Sequence, residues 1–195
     1  LIAGSKPIDM DNIVIRGQMQ NGEISIPVIQ FDLKEAAGEV VISGGILDGQ
    51  NLKARLGNSI GQNGTLKLGL IGDVAPFHLE TDVRADLEQL PPILKQLVDD
   101  QDFQKELAQL TELRGSANGK LVLGEDTDNV KVKVEATDIQ LSAQYGRLPQ
   151  PLQITGGKFS FDEDRIGVSH LTGMLGKSAF SELSGSLGLD KKQDL

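Results

Sequence analysis

The chain writes one hydrophobic pattern twice. Residues 40–59 read VVISGGILDGQNLKARLGNS and residues 159–178 read FSFDEDRIGVSHLTGMLGKS; an ungapped shift of 119 positions lays Leu52 on Leu171, Leu56 on Leu175, Gly57 on Gly176 and Ser59 on Ser178. Val40 and Ile42 fall on Phe159 and Phe161, and Leu47 falls on Ile166. Both copies change phase at the same place. Leu47 has odd parity while Leu52, Ala54 and Leu56 are even, and Ile166 and Val168 are even while Leu171, Gly173 and Leu175 are odd. One extra residue in a strand produces such a shift by moving every later side chain to the other face. The pattern therefore predicts a bulge near Gln50-Asn51 and another near Ser169-His170. A shared irregularity is harder to reach by chance than shared alternation, so the chain reads as two related units. The likeness extends upstream, GEISIPV (22–28) against GRLPQPL (146–152), and downstream, GTLKLGL (64–70) against GSLGL (185–189).

Between these landmarks the apolar residues alternate with polar ones. Ile13 and Ile15, Ile24 and Ile26, Leu66, Leu68 and Leu70, and Val130, Val132 and Val134 each mark one face of a half-buried antiparallel strand. Asn21-Gly22, Asp48-Gly49, Asn63-Gly64 and Asn118-Gly119 read as hairpin turns, since Asn, Asp and Gly reach the positive φ that tight turns need. One segment breaks the alternation. Pro91 and Pro92 suit a first helical turn, and Leu90, Ile93, Leu94 and Leu97 recur at helical spacing. Asp99 and Asp100 can cap a second helix, in which Phe103, Leu107, Leu110 and Leu113 repeat the spacing and Gly115 marks the end. The expectation is a mainly β chain: a first β unit over 12–84, a short helical hairpin at about 86–114 and a second β unit over 116–195. The helical stripe is expected to cover the open face or the end of the sheet.

Composition narrows the function. With 38% apolar residues the chain can build a core, but six Phe, one Tyr and no Trp offer few rings for stacking bases or sugars. The 28 acidic residues against 19 basic ones give a net charge of -9, which repels nucleic-acid backbones. There is no cysteine, which excludes disulfides and thiolate metal sites. Apolar runs are too short to span a bilayer, and the opening LIAGSKPIDMDN lacks a signal peptide's basic start and apolar stretch. The expectation is an excised piece of a larger protein whose targeting or anchoring segments lie outside it.

The short motifs that suggest chemistry do not hold together. GMLGKS (173–178) ends like a phosphate-binding loop, but Leu171 stands where the first glycine is required and no helical pattern follows. In EDTDN (125–129), Asp126 and Asp128 begin a calcium-loop spacing that Lys131 and the valines break, and DEDR (162–165) reads as a solvated turn. His78 and His170 are the only imidazoles, and no nucleophile-elbow motif supplies an activated Ser. Catalytic residues, a metal site and a cofactor are accordingly not expected. The sequon Asn63-Gly64-Thr65 reads better as a turn.

The ordered series from 146 to 189 resembles the AsmA-like family of bacterial envelope proteins. It carries an LP-x-P element (Leu148 to Pro151), a strand of the I-x-G-G-x-F kind (Ile154 to Phe159), a strand ending L-x-G-x-L-G-x-S (Leu171 to Ser178) and a closing G-x-L-x-L strand (Gly185 to Leu189). The resemblance implies a curved antiparallel gutter with an apolar concave lining, in the periplasmic part of a protein anchored in the inner membrane. It implies a role in outer-membrane homeostasis and lipid traffic, with phospholipid or another acyl-chain ligand as partner and no enzymatic activity. Residues that stay apolar in both copies are the candidate lining: Ile42, Leu52, Leu56, Phe159, Phe161, Leu171 and Leu175. The alternative expectation is a structural or assembly module that binds envelope proteins, or itself, through exposed strand edges.

Overall fold

The computed structural model describes residues 14–26, 31–72, 74–97, 101–162 and 165–188. Ten strands form one sheet in sequence order: β1 (Val14–Ile26), β2 (Phe31–Ser43), β3 (Ile46–Leu56), β4 (Ser59–Gly69), β5 (Pro76–Asp86), β6 (Leu110–Asp126), β7 (Val130–Tyr145), β8 (Leu152–Asp162), β9 (Arg165–Leu175) and β10 (Ser178–Gly188). Every neighbouring pair is antiparallel. The sheet is curved and does not close. Among the described residues no second layer faces it, and the chain exposes 13900 Å². A compact domain of its mass exposes about 9,000 Å².

The two units are related strand by strand. A shift of 119 carries the bounds of β3 and β4 onto those of β9 and β10. It also carries every register partner of β3 with β4 onto a register partner of β9 with β10: Leu47↔Leu68 becomes Ile166↔Leu187, and Leu52↔Gly64 becomes Leu171↔Leu183. The β2–β3 partners map onto β8–β9 in the same way, Val40↔Gly49 becoming Phe159↔Val168. The upstream alignment expected from the sequence is corrected. Gly22 to Ile26 lie inside β1, whereas Gly146 to Pro151 form the link between β7 and β8.

Left-handed residues sit in mid-strand: Asn21, Glu35, Asn51, Asn63, Asp138, His170 and Glu182 have φ from 50 to 56°. Their strands carry the register shifts of bulges or pair with a strand that does. Asn51 corresponds to His170 and Asn63 to Glu182 under the same shift, so both expected bulges exist and a second pair accompanies them. In β4, Asn63 and Gly64 together oppose Thr81, which leaves Gln62↔Asp82 and Thr65↔Glu80 on either side. Bulges bend the strand that holds them. A row of them crossing the sheet bends the strands at one level, so the trough runs across the strands and its open ends are β1 and β10.

This row accounts for two of the four expected turns, Asn21-Gly22 and Asn63-Gly64, whereas Asp48-Gly49 and Asn118-Gly119 have no positive φ. Asn21-Gly22, Asp48-Gly49, Asn63-Gly64 and Asn118-Gly119 all lie inside strands. The chain reverses instead at Gly44-Gly45, Gly57-Asn58 and Gly176-Lys177. A bulge and a tight turn both demand positive φ, so the same residue types serve either. Glutamate is a poor occupant of that region. Glu182→Asn is therefore expected to raise stability by about 0.5 kcal/mol in denaturant unfolding, since the exposed contact it gives up with His170 is worth little.

The helical insert is shorter than expected. A 3₁₀ turn at Leu87–Gln89 leads into α1 (Leu90–Leu97), and α2 spans Gln101–Ala108. Asp99 and Asp100 lie outside the described residues. Leu110 and Leu113, expected on the second helix, belong to β6, and Gly115 lies within that strand with φ 131°. Glu112 is left-handed and bulged, which places side chains three apart on one strand face and imitates helical spacing. Leu87 packs with Leu113, Ala117, Ile139 and Ala143 in a small buried cluster at one rim. Two ties hold the insert there. The Asn58 amide N–H donates to Gln89 Oε1 at 3.0 Å, and Glu106 accepts from the Tyr145 hydroxyl at 2.5 Å and from Arg147.

Candidate functional site: an uncharged inner face

Register partners share a face, so the sheet can be read in rows. One row runs Ile15, Ile42, Leu47, Leu68, Phe77. Another runs Thr81, Leu121, Val134, Phe161, Ile166, Leu187. A third runs Ala54, Gly61, Val83, Gly119, Ala136, Phe159, Val168, Gly185. Among the described residues the one charged group on this face is Glu125, at the rim beside the β6–β7 turn, where Lys131 lies 2.8 Å away. On β2 to β9 the apolar residues of these rows are all half-buried or buried, although no described element is layered over them. These side chains shield one another along and across the rows, and this apolar side is called the inner face of the curved sheet. On the edge strands it opens: Ile15 is 53% exposed, Leu183 52% and Leu187 61%.

All seven candidate lining residues lie on this inner face, in two patches. Ile42, Leu52 and Leu56 stand on β2 and β3, and Phe159, Phe161, Leu171 and Leu175 on β8 and β9. Leu171 is the most buried, at 7% exposure. Leu52 lies across Gly38, Gly49 and Gly64, and Leu171 across Gly157; a Cβ on Gly38 or Gly157 would meet these leucines at 2.5 and 2.6 Å. The lining is thus smoothed by large side chains resting on bare backbone. Between the patches, Leu66, Leu79, Val83, Leu121, Leu123, Val132 and Val134 continue the same surface and were not singled out by the duplication. Their alternation was visible, but nothing in one sequence says that separate strands share a face.

The outer face is polar. Lys120 Nζ lies 2.5 Å from Glu80 Oε1, and Lys133 Nζ 3.1 Å from Glu135 Oε1. The Lys120 ammonium, by hydrogen bond and charge, holds the Glu80 carboxyl below its ordinary 4.5, and Glu80 holds Lys120 above its ordinary 10.5. The lowered carboxylate stabilises the fold above the usual carboxylate range and loses that effect as pH falls through its folded value. The raised ammonium stabilises it below the usual lysine range and loses the effect as pH rises through its folded value. Lys120→Met is therefore expected to lower the unfolding midpoint slightly at neutral pH and not at all in strong acid. At the rim, the Glu106 hydrogen bond pushes the Tyr145 phenol up, with desolvation adding to it.

Neither histidine is built into a catalytic group. His78 is exposed on the outer face with Nε2 4.0 Å from Glu80 Oε2. His170 Nδ1 lies 2.5 Å from Glu182 Oε2, both side chains being more than two-thirds exposed. Asp126 accepts from the amides of Asp128 and Asn129 at 2.9 and 2.7 Å, a self-satisfied turn. Gly176 and Lys177 form the β9–β10 turn with a strand behind it, not the helix a phosphate loop needs. In DEDR, Glu163 and Asp164 lie outside the described residues. Among the described residues no cluster of three or more potential metal ligands occurs, and no helix is long and apolar enough to cross a membrane.

Two depressions lie off the inner face. One of about 530 Å³ sits over the bulges of β1 to β3 among Gln18, Gln20, Glu35, Glu39 and Lys53. Another of about 350 Å³ lies between Gln109, Tyr145 and Pro149. Polar and apolar groups share the lining of both in about equal measure, and what sets this protein apart is the open apolar surface. No family model, curated protein or solved structure matches the chain.

Proposed function

We propose that this chain is a non-enzymatic module of a bacterial envelope protein, facing the periplasm, whose inner face guides or shelters lipid acyl chains between the inner and outer membranes. The observation that carries the reading is the inner face itself: ten strands wide and, among the described residues, uncharged up to its rim and without a second layer. Nine strand spacings make it roughly 40 Å long. Soluble proteins rarely leave so continuous an apolar surface without an occupant.

The energetics suit conduction. A chain of about sixteen carbons gains roughly 13 kcal/mol on leaving water for an apolar lining, at ~0.8 kcal/mol per methylene. It gives up about as much on leaving a bilayer, so exchange between membrane and trough is nearly neutral. The likeness to AsmA-like proteins supports the same reading, since three of its four quoted motifs fall on β8, β9 and β10 and supply Phe159, Leu171, Leu175 and Leu187 to the lining, the LP-x-P element lying in the link before β8.

Mass spectrometry of organic extracts from the purified chain tests the proposal. Phospholipid or fatty acyl species in near-stoichiometric amount are expected. A chain that is folded and lipid-free after expression in a lipid-rich cell overturns it. A second reading, assembly through strand edges, is favoured by β1 and β10, which have a strand on one side only among the described residues.

A further inference from the structure

We infer that the outer edge of β10 is a docking site for one extended strand, antiparallel to it and patterned as β5 is, with apolar side chains toward the trough and polar ones outward. The inference rests on the duplication and not on the lipid reading. β4 and β10 are equivalent residue by residue, in bounds, in partners on the preceding strand and in their left-handed residues Asn63 and Glu182. On its other side β4 holds β5, through Gly61↔Val83, Leu66↔Leu79 and Leu68↔Phe77. The matching positions of β10 are Phe180, Gly185 and Leu187, and among the described residues no strand stands beside them. Exposure follows: Leu66 and Leu68 are half-buried, while Leu183 is 52% and Leu187 61% exposed.

The edge also lacks the features that discourage pairing. Ser178–Gly188 holds no Lys and no Pro, and its single charge, Glu182, is turned to His170. The bulge adds a requirement on the guest. In β4 the doubled residues Asn63 and Gly64 face Thr81, whose hydroxyl donates to the Gln62 carbonyl at 3.0 Å. A strand on β10 is thus selected for a small hydroxyl residue opposite Glu182 and Leu183, with apolar residues two and four positions before it. Backbone hydrogen bonds supply affinity and the inward side chains supply register.

The chain has no cysteine, so introduced thiols report without background. Gly185 has nothing within 4 Å of a Cβ and no positive φ, so Gly185→Cys keeps the strand intact. A synthetic peptide with the sequence of residues 76–86, carrying Leu79→Cys, is expected to cross-link to it at least tenfold faster than the same peptide carrying His78→Cys or Glu80→Cys. With the unsubstituted chain and peptide, amide exchange in β10 is expected to slow at least tenfold while β4 is unchanged. Equal cross-linking at the three positions, unprotected β10 amides, or an edge taken by a second copy of the chain that the peptide does not displace would each overturn the inference. None of these results depends on whether lipid occupies the trough, so this reading and the lipid reading fail separately.

Discussion

Gly115→Ala is expected to cost about 4 kcal/mol of unfolding free energy, the sum of a left-handed alanine and a main-chain collision. At φ 131° only glycine is at ease, and a Cβ there would lie 1.9 Å from the Gln140 carbonyl oxygen and 3.0 Å from Leu141 Cα. The obstacle is the backbone of β7, which cannot swing aside without opening the β6–β7 pairing at the centre of the sheet. Gly156→Ala is the comparison, because that position has nothing within 4 Å and no positive φ; it should change stability by no more than about 0.5 kcal/mol. Urea unfolding of the two variants separates the accounts. If Gly115 acted as the helix-ending residue that its sequence context suggests, alanine would cost only about 1 kcal/mol, the strain of one left-handed residue.

The second large effect is on ligand. Ile42→Asp and Phe161→Asp, equivalent positions in the two units, together place a carboxylate on each flank of the lining. A charge among acyl chains costs about 3 kcal/mol even in permissive surroundings, so lipid retention and binding of a fluorescent fatty acid should fall about a hundredfold. Both side chains are only half-buried, and the circular dichroism of a β protein should persist. Val41→Asp with Ser160→Asp is the control: these are the adjacent residues, turned to the polar side, and should leave binding unchanged. Undiminished lipid in the Ile42/Phe161 variant would remove the trough from the function.

Much of this architecture was legible in the letters. The phase change between Leu47 and Leu52, repeated between Ile166 and Leu171, placed two bulges near the dipeptides that hold the left-handed Asn51 and His170, and the strand register carried the 119-residue shift through. What escaped was local. Asn21 and Asn63 answer to positive φ, which a turn and a bulge demand alike, so only the pairing of the neighbouring strand decides between them. Leu110 and Leu113 answer to spacing, which Glu112 distorted into a helical interval. The lining was half legible: duplication marked Ile42, Leu52 and Leu171, but Leu79 and Leu121 join them only through long-range register.

Because each strand bonds only to its neighbours in sequence, the molecule has the thermodynamics of a stack rather than of a globule. Its stability is a sum of nearest-neighbour terms along one dimension, and losing an outermost strand subtracts one term without undoing the others. Folding inherits the same economy. Except at the helical insert between β5 and β6, hairpins close over short loops and zip outward, a low-contact-order route that favours speed over all-or-none cooperation. Fraying therefore begins at the flanks and travels inward, and the β5–β7 segment, where the small buried cluster sits, is the last to melt.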